Sequence, residues 1–144
     1  MTRVSRLEPE FVDVIPDRLD TRTLYISIPY ATAQHLCCCG CGHEIVTPLH
    51  PAHWALTYDG ETVSLHPSVG NWSPPCRSHY VIRRNQVRWA RGWSREEVEA
   101  GRRRDRHVAA AYFSEQEDSA SEADRPAAFE PPGVLRRMMQ RLIR

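Results

Sequence analysis

The sequence predicts a β-rich α+β domain: a small antiparallel sheet of hairpins, held by zinc, then one helix and a flexible tail. Three observations predict it. Short β-branched and aromatic runs recur between turn signals such as Asp59-Gly60 and Arg84-Asn85. Four of the five cysteines (Cys37, Cys38, Cys39 and Cys41) crowd one glycine-punctuated turn, and the fifth, Cys76, lies in Cys76-Arg-Ser-His79. The only clear helical start, Ser94 followed by Glu97, comes after all of these.

Phe11-Val-Asp-Val-Ile-Pro16 alternates and stops at a proline, and Thr23-Leu-Tyr-Ile-Ser-Ile28 is β-branched and aromatic, so the two are expected as a hairpin. Tyr30–His35 carries the chain into the cysteine turn and Glu44–Leu49 carries it out. His53–Tyr58 and Glu61–Leu65 flank Asp59-Gly60, a strong hairpin signal. Pro67–Pro75 reads as a rigid loop delivering Cys76, and Tyr80–Arg83 pairs with Gln86–Trp89 across Arg84-Asn85. Ser94 caps a helix expected to end near Phe113, with Trp93 stapled onto Val98 and a thin apolar stripe of Val98, Val108 and Tyr112. Residues 1–113 then form the domain. The acidic Ser/Ala/Pro-rich stretch 114–133 reads as a disordered linker. Residues 134–144 read as an amphipathic helix with Leu135, Met138, Met139 and Leu142 on one face.

Composition bounds the function. The chain has 144 residues, a hydrophobic fraction of 41% and a formal net charge of +1, which excludes a strong global field toward nucleic acid or anionic membrane. Every basic residue is arginine. No apolar run reaches the roughly 18 residues of a membrane span, and the N-terminus lacks a signal-peptide layout, so a cytoplasmic protein is expected. In a reducing compartment clustered thiols serve as metal ligands rather than disulfides.

Cys37, Cys39, Cys41, Cys76 and His79 are five candidates for the four positions of a tetrahedral Zn2+ site. Gly40 and Gly42 supply the sharp bend a ligand turn needs. Cys38 must point away if its neighbours point inward. His35 and His43 flank the turn and can hydrogen-bond its ligands. Glu44 is the only carboxylate beside the turn and the only nearby candidate for a general base. Pro75-Cys76-Arg-Ser-His79 mimics the second half of a zinc-deaminase signature, but the first half has the wrong spacing, and no His-Glu-x-x-His is present. Five potential ligands favour a closed, structural site over a catalytic one.

The region from about Phe11 to Trp89 resembles a family of small bacterial and phage proteins, domain of unknown function 6527. The likeness rests on Phe11-Val-Asp-Val-Ile-Pro16, Leu36-Cys-Cys-Cys-Gly-Cys-Gly42, Val63-Ser-Leu-His-Pro-Ser68, Gly70-Asn-Trp72, Cys76-Arg-Ser-His-Tyr80 and Val87-Arg-Trp89. Cys38 stands where that family commonly has proline. The resemblance implies metal binding and a place beside ubiquitin-like, activating and conjugating proteins and a deubiquitinase-like peptidase. The expectation is therefore a zinc-stabilised, E3-like adaptor in a bacterial ubiquitin-like conjugation or antiphage system. Asn71, Trp72 and Arg77, with the tail face of Leu135, Met138, Met139 and Leu142, are the expected partner-binding residues. Trp54 is expected in the core. The alternative is a zinc-ribbon nucleic-acid binder using Arg83, Arg84, Arg88, Arg91, Arg95, Arg102, Arg103, Arg104 and Arg106, interleaved with Tyr80, Trp89 and Trp93. A third reading is a zinc-dependent hydrolase or ligase-like component with Glu44 as base.

Overall fold

A computed structural model describes residues 2–72 and 76–123, with side chains to residue 120. The chain divides into two compact units, Met1–Ala111 and Tyr112–Arg144. Strands β1 (Glu8–Phe11), β2 (Thr23–Ser27), β3 (Thr32–Leu36) and β4 (Glu44–Pro48) form one four-stranded sheet in that order. Strands β5 (Ala55–Tyr58), β6 (Val63–Asn71), β7 (Ser78–Arg83) and β8 (Gln86–Trp89) form a second, also in sequence order. Helix α1 spans Arg95–Ala123.

The β-rich architecture of hairpins with one helix is thus as expected, but with two sheets instead of one. One pairing differs. β1 lies ahead of Val12–Pro16 and runs parallel to β2, with Glu8 opposite Thr23 and Phe11 opposite Ile26. The connection between them is too long for a tight turn, and it brings the chain back to the start of β1, as a parallel pair requires. Ser27 Oγ donates to the Asp13 carbonyl at 2.7 Å and anchors that crossover. The other five pairings are antiparallel.

The two turn signals act as read. Asp59 Oδ1 accepts from the amides of Glu61 and Thr62 at 2.9 and 2.6 Å, and Gly60 takes a φ of 101°. Arg84 and Asn85 both have positive φ, the backbone twist that suits a two-residue hairpin. Asn85 is fully buried and earns that place by accepting from the Val63 amide at 2.8 Å, so the turn of one hairpin is pinned to the strand beside it.

Inward positions of both sheets share one core. Leu24, Ile26, Ala33 and Ile45 from the first sheet meet Val63, Leu65, Val69, Tyr80, Ile82 and Val87 from the second. Trp54 packs against this cluster. Burial of each large aliphatic side chain contributes roughly 1.5–3 kcal/mol, so these residues dominate the stability. One buried polar link crosses the core: His35 Nε2 and the Tyr80 hydroxyl lie 2.8 Å apart. Burial pulls the His35 pKa down to about 4 and raises that of Tyr80, so the link is neutral.

The capping box forms: Glu97 N donates to Ser94 Oγ at 3.2 Å and Ser94 N to Glu97 Oε2 at 2.7 Å. The helix then continues past Phe113, so residues 114–123, expected in a disordered linker, are helical. Their glutamate, glutamine and alanine are good helix formers, which outweighs the absence of an apolar stripe. No helix among the described residues is long and apolar enough to cross a membrane. The amphipathic tail with Leu135, Met138, Met139 and Leu142 lies outside the described residues.

Candidate functional site

The cysteine turn links β3 to β4. It is closed by Cys37 N donating to the His43 carbonyl at 2.8 Å and Gly40 N to the Cys37 carbonyl at 3.0 Å, and Gly40 and Gly42 take φ of 88° and 82°. This backbone turns Cys37, Cys39 and Cys41 to one side. Cys38 points the other way into the core, where it is fully buried and its thiol is pushed up to about 12 by burial.

Cys76, just ahead of β7, meets the turn. Its Sγ lies 3.9 Å from that of Cys37 and 3.7 Å from that of Cys41, and the Cys37 and Cys39 sulfurs are 3.5 Å apart. All four sulfurs lie within 4.8 Å of one another. A tetrahedral ion with metal–sulfur bonds of about 2.3 Å sets its sulfurs about 3.8 Å apart, so the four thiols fit one ion. Burial opposes ionisation of Cys37, but hydrogen bonds from Ser78, Cys39 and Asn71 outweigh it and lower this thiol to about 7. Cys41 is pushed up to about 12, by burial first and by the neighbouring sulfurs. Without a cation the cluster tolerates little negative charge; a divalent ion removes that conflict.

His79, the fifth candidate ligand, is not in this group. It is buried on β7, with Nε2 2.8 Å from Ser68 Oγ and Nδ1 3.1 Å from the Arg91 carbonyl oxygen. A carbonyl only accepts, so Nδ1 carries the proton and donates to Arg91. In the neutral ring Nε2 is then the acceptor, and the Ser68 hydroxyl donates to it. Ser68, His79 and the Arg91 carbonyl thus form a hydrogen-bonded chain with the connectivity of a hydroxyl, an imidazole and an orienting acceptor, a backbone carbonyl standing where a carboxylate is often found.

Ser68 lies on β6 where the ladder to β7 slips between Leu65 and Val69, just after the cis His66–Pro67 bond. Bulged registers re-aim side chains next to functional sites. Ser68 and His79 both line a cleft of about 720 Å³, together with Gly70, Asn71, Trp72 and Trp93.

The remaining expected site residues divide. Trp72 is half-buried, 5.3 Å centroid to centroid from His79 and stacked on Trp93 at 5.5 Å. Gly70 makes room for it, because a Cβ there would sit 2.4 Å from Trp72 Nε1. Asn71 lines the cleft and reaches toward Cys76 Sγ at 3.8 Å. Arg77 is exposed with φ of 42°, and Glu44 is exposed at the start of β4. His43 Nδ1 lies 3.1 Å from Cys41 Sγ. Sequence reasoning missed Ser68 and the Arg91 carbonyl. Ser68 has no Gly-x-Ser-x-Gly setting, and the stretch expected as a rigid loop from Pro67 instead extends β6 to Asn71, so no local signal marked the pair.

Residues 11–90, more than half of the chain, match the sequence model of a family described as "Bacterial ubiquitination-like system serine protease (BubE)". The chain belongs to the BubE family. No curated protein and no solved structure matches it. The BubE match embraces all five cysteines, Ser68 and His79, and stops one residue before Arg91. Membership associates this chain with a bacterial ubiquitination-like system, the association that the resemblance implied.

Proposed function

We propose that this chain is a serine peptidase of a bacterial ubiquitin-like modification system, with Ser68 as nucleophile, His79 as general base and the Arg91 carbonyl fixing the tautomer. The observation that carries this reading is the 2.8 Å contact between Ser68 Oγ and His79 Nε2 while Nδ1 is held by a carbonyl. Ser68 Oγ attacks the scissile carbonyl as its proton passes to Nε2. The imidazolium then gives that proton to the leaving amine, and an acyl group remains on Ser68. Water, deprotonated by the same Nε2, releases it. General base assistance of this kind is worth about 10²–10⁴-fold.

The cysteine site holds zinc and acts structurally. An all-thiolate, four-ligand set suits Zn2+ and leaves no open position for a reacting water. Its work is mechanical. Cys76 precedes β7, which carries His79, and Asn71, which touches Cys76, ends β6, which carries Ser68. The ion therefore fixes the ends of both catalytic strands. Free thiols in this number suit a reducing cytoplasm.

The substrate is a peptide bond at the C-terminal end of a ubiquitin-like modifier of the same system. The adaptor reading uses Asn71, Trp72 and Arg77 with the tail face as docking residues, but the Trp72 ring packs on His79 and Trp93 beside Ser68, which favours chemistry in the cleft. The test is incubation of the zinc-loaded protein with the modifier carrying a C-terminal extension. Cleavage by the wild type and none by Ser68→Ala is expected; equal cleavage by Ser68→Ala removes the proposal.

A further inference from the structure

We infer that Trp93 and Glu97, both beyond the region that matches the family, are positioning residues for His79: the turn from β8 into α1 is a strap that holds the base. The inference rests on the serine peptidase reading.

The strap is anchored at three points. At its start, Ala90 N donates to the His79 carbonyl at 2.9 Å. At its end, the Glu97 carboxylate accepts from Arg91 Nη2 at 2.6 Å, Arg91 Nη1 at 3.2 Å and Ser94 N at 2.7 Å. One carboxylate thus holds both sides of the turn whose Arg91 carbonyl meets His79 Nδ1. Between these points, the Trp93 indole packs on the imidazole in a T-shaped contact at 4.9 Å and stacks on Trp72.

Gly101 is the third anchor. A glycine inside a helix costs about 1 kcal/mol relative to alanine, so it needs a reason. Here a Cβ would stand 2.8 Å from Trp93 Cζ3. Gly101 is the seat of the indole. The first turns of α1 therefore act on the dyad through packing: the indoles limit rotation of the imidazole, and Glu97 holds the carbonyl that fixes its tautomer. Small misalignments of a base are expensive in rate, because proton transfer needs Oγ and Nε2 within hydrogen-bond reach.

The test uses diisopropyl fluorophosphate on the full-length, zinc-loaded chain. The Ser68 Oγ–P bond forms, the P–F bond breaks, fluoride leaves and the Oγ proton moves to His79 Nε2, so the maximal inactivation rate reads the dyad and the half-saturation constant reads probe binding. Trp93→Ala is expected to lower the maximal rate on the order of tenfold with the half-saturation constant unchanged, and Trp93→Phe to restore most of it. Glu97→Ala is expected to fall several-fold. Gly101→Ala keeps every other side chain and improves helix propensity, yet is expected to slow inactivation by displacing the indole, with zinc content retained. It replaces Trp93→Ala as the deciding variant if the latter does not fold. Wild-type rates in Trp93→Ala or in Gly101→Ala, or an effect confined to the half-saturation constant, overturn the strap. No diisopropylphosphorylation of wild-type Ser68 overturns the peptidase reading and the strap with it. A reactive wild type with unaffected strap variants overturns the strap alone.

Discussion

Asn71 and Ser78 are register partners on β6 and β7, one rung from the Gly70–His79 pair, and both reach toward the cysteine cluster. Two neighbouring rungs of one ladder therefore serve two sites. Period-2 alternation sends Ser78 toward Cys37 and His79 into the cleft on the opposite face. The four-cysteine cluster and the proposed Ser68–His79 dyad are separate in chemistry and joined through the β6–β7 ladder.

Removing the metal should therefore disable both. Zinc bound by four thiolates contributes apparent folding free energy on the order of 10 kcal/mol, and its loss frees the ends of β6 and β7. A strong chelator, or Cys76→Ser, is expected to abolish the cooperative thermal transition and the peptidase activity together. Melting followed by circular dichroism checks this; an unchanged transition in the apoprotein contradicts it.

Cys38 and Cys39 should separate cleanly. Cys39 takes part in the sulfur cluster and Cys38 packs in the core. Native mass spectrometry of Cys38→Ala is expected to show one bound ion, with a stability loss of about 1 kcal/mol from the missing buried sulfur. Cys39→Ala is expected to lose tight binding. Retention of the ion by Cys39→Ala and its loss from Cys38→Ala would reverse the assignment.

His79→Gln distinguishes a base from a ligand. The substitution should leave metal stoichiometry intact while lowering turnover at least 100-fold, in the range removed with a general base. Metal analysis alongside kinetics decides, since a ligand variant would lose both.

The Arg91–Glu97 pair predicts an acid-sensitive helix start. Hydrogen bonds from Arg91, then the Ser94 amide, hold the Glu97 carboxyl at about 2, below its model-compound value of 4.5. A depressed carboxyl pKa stabilises the fold above the unfolded value and loses that contribution as pH falls. The window is therefore from 4.5 down to about 2. Thermal midpoints of wild type and Glu97→Gln are expected to converge across it on acidification; parallel curves would show that the pair does nothing for stability.

Much of this molecule is written locally. The glycine-flanked thiols, Asp59-Gly60, Arg84-Asn85 and the Ser94–Glu97 box each specify a turn or cap from adjacent residues, and each forms. The exclusion of Cys38 followed from alternation of neighbouring side chains, and it points into the core. What depends on distant register was not legible. Cys76-Arg-Ser-His79 has the spacing of a ligand pair on a turn, but His79 lies on a strand, where alternation takes it away from the sulfurs. Ser68 becomes notable only once the β6–β7 slip sets it against His79. The parallel β1–β2 pair likewise depends on a crossover that no local pattern announces.

The most direct measurement is peptide mapping by mass spectrometry after exposure of the zinc-loaded protein to diisopropyl fluorophosphate. A single diisopropylphosphoryl adduct on Ser68, absent from His79→Gln, is the result expected of a serine made nucleophilic by its histidine. An unmodified Ser68, or an adduct that forms equally well without His79, would contradict it.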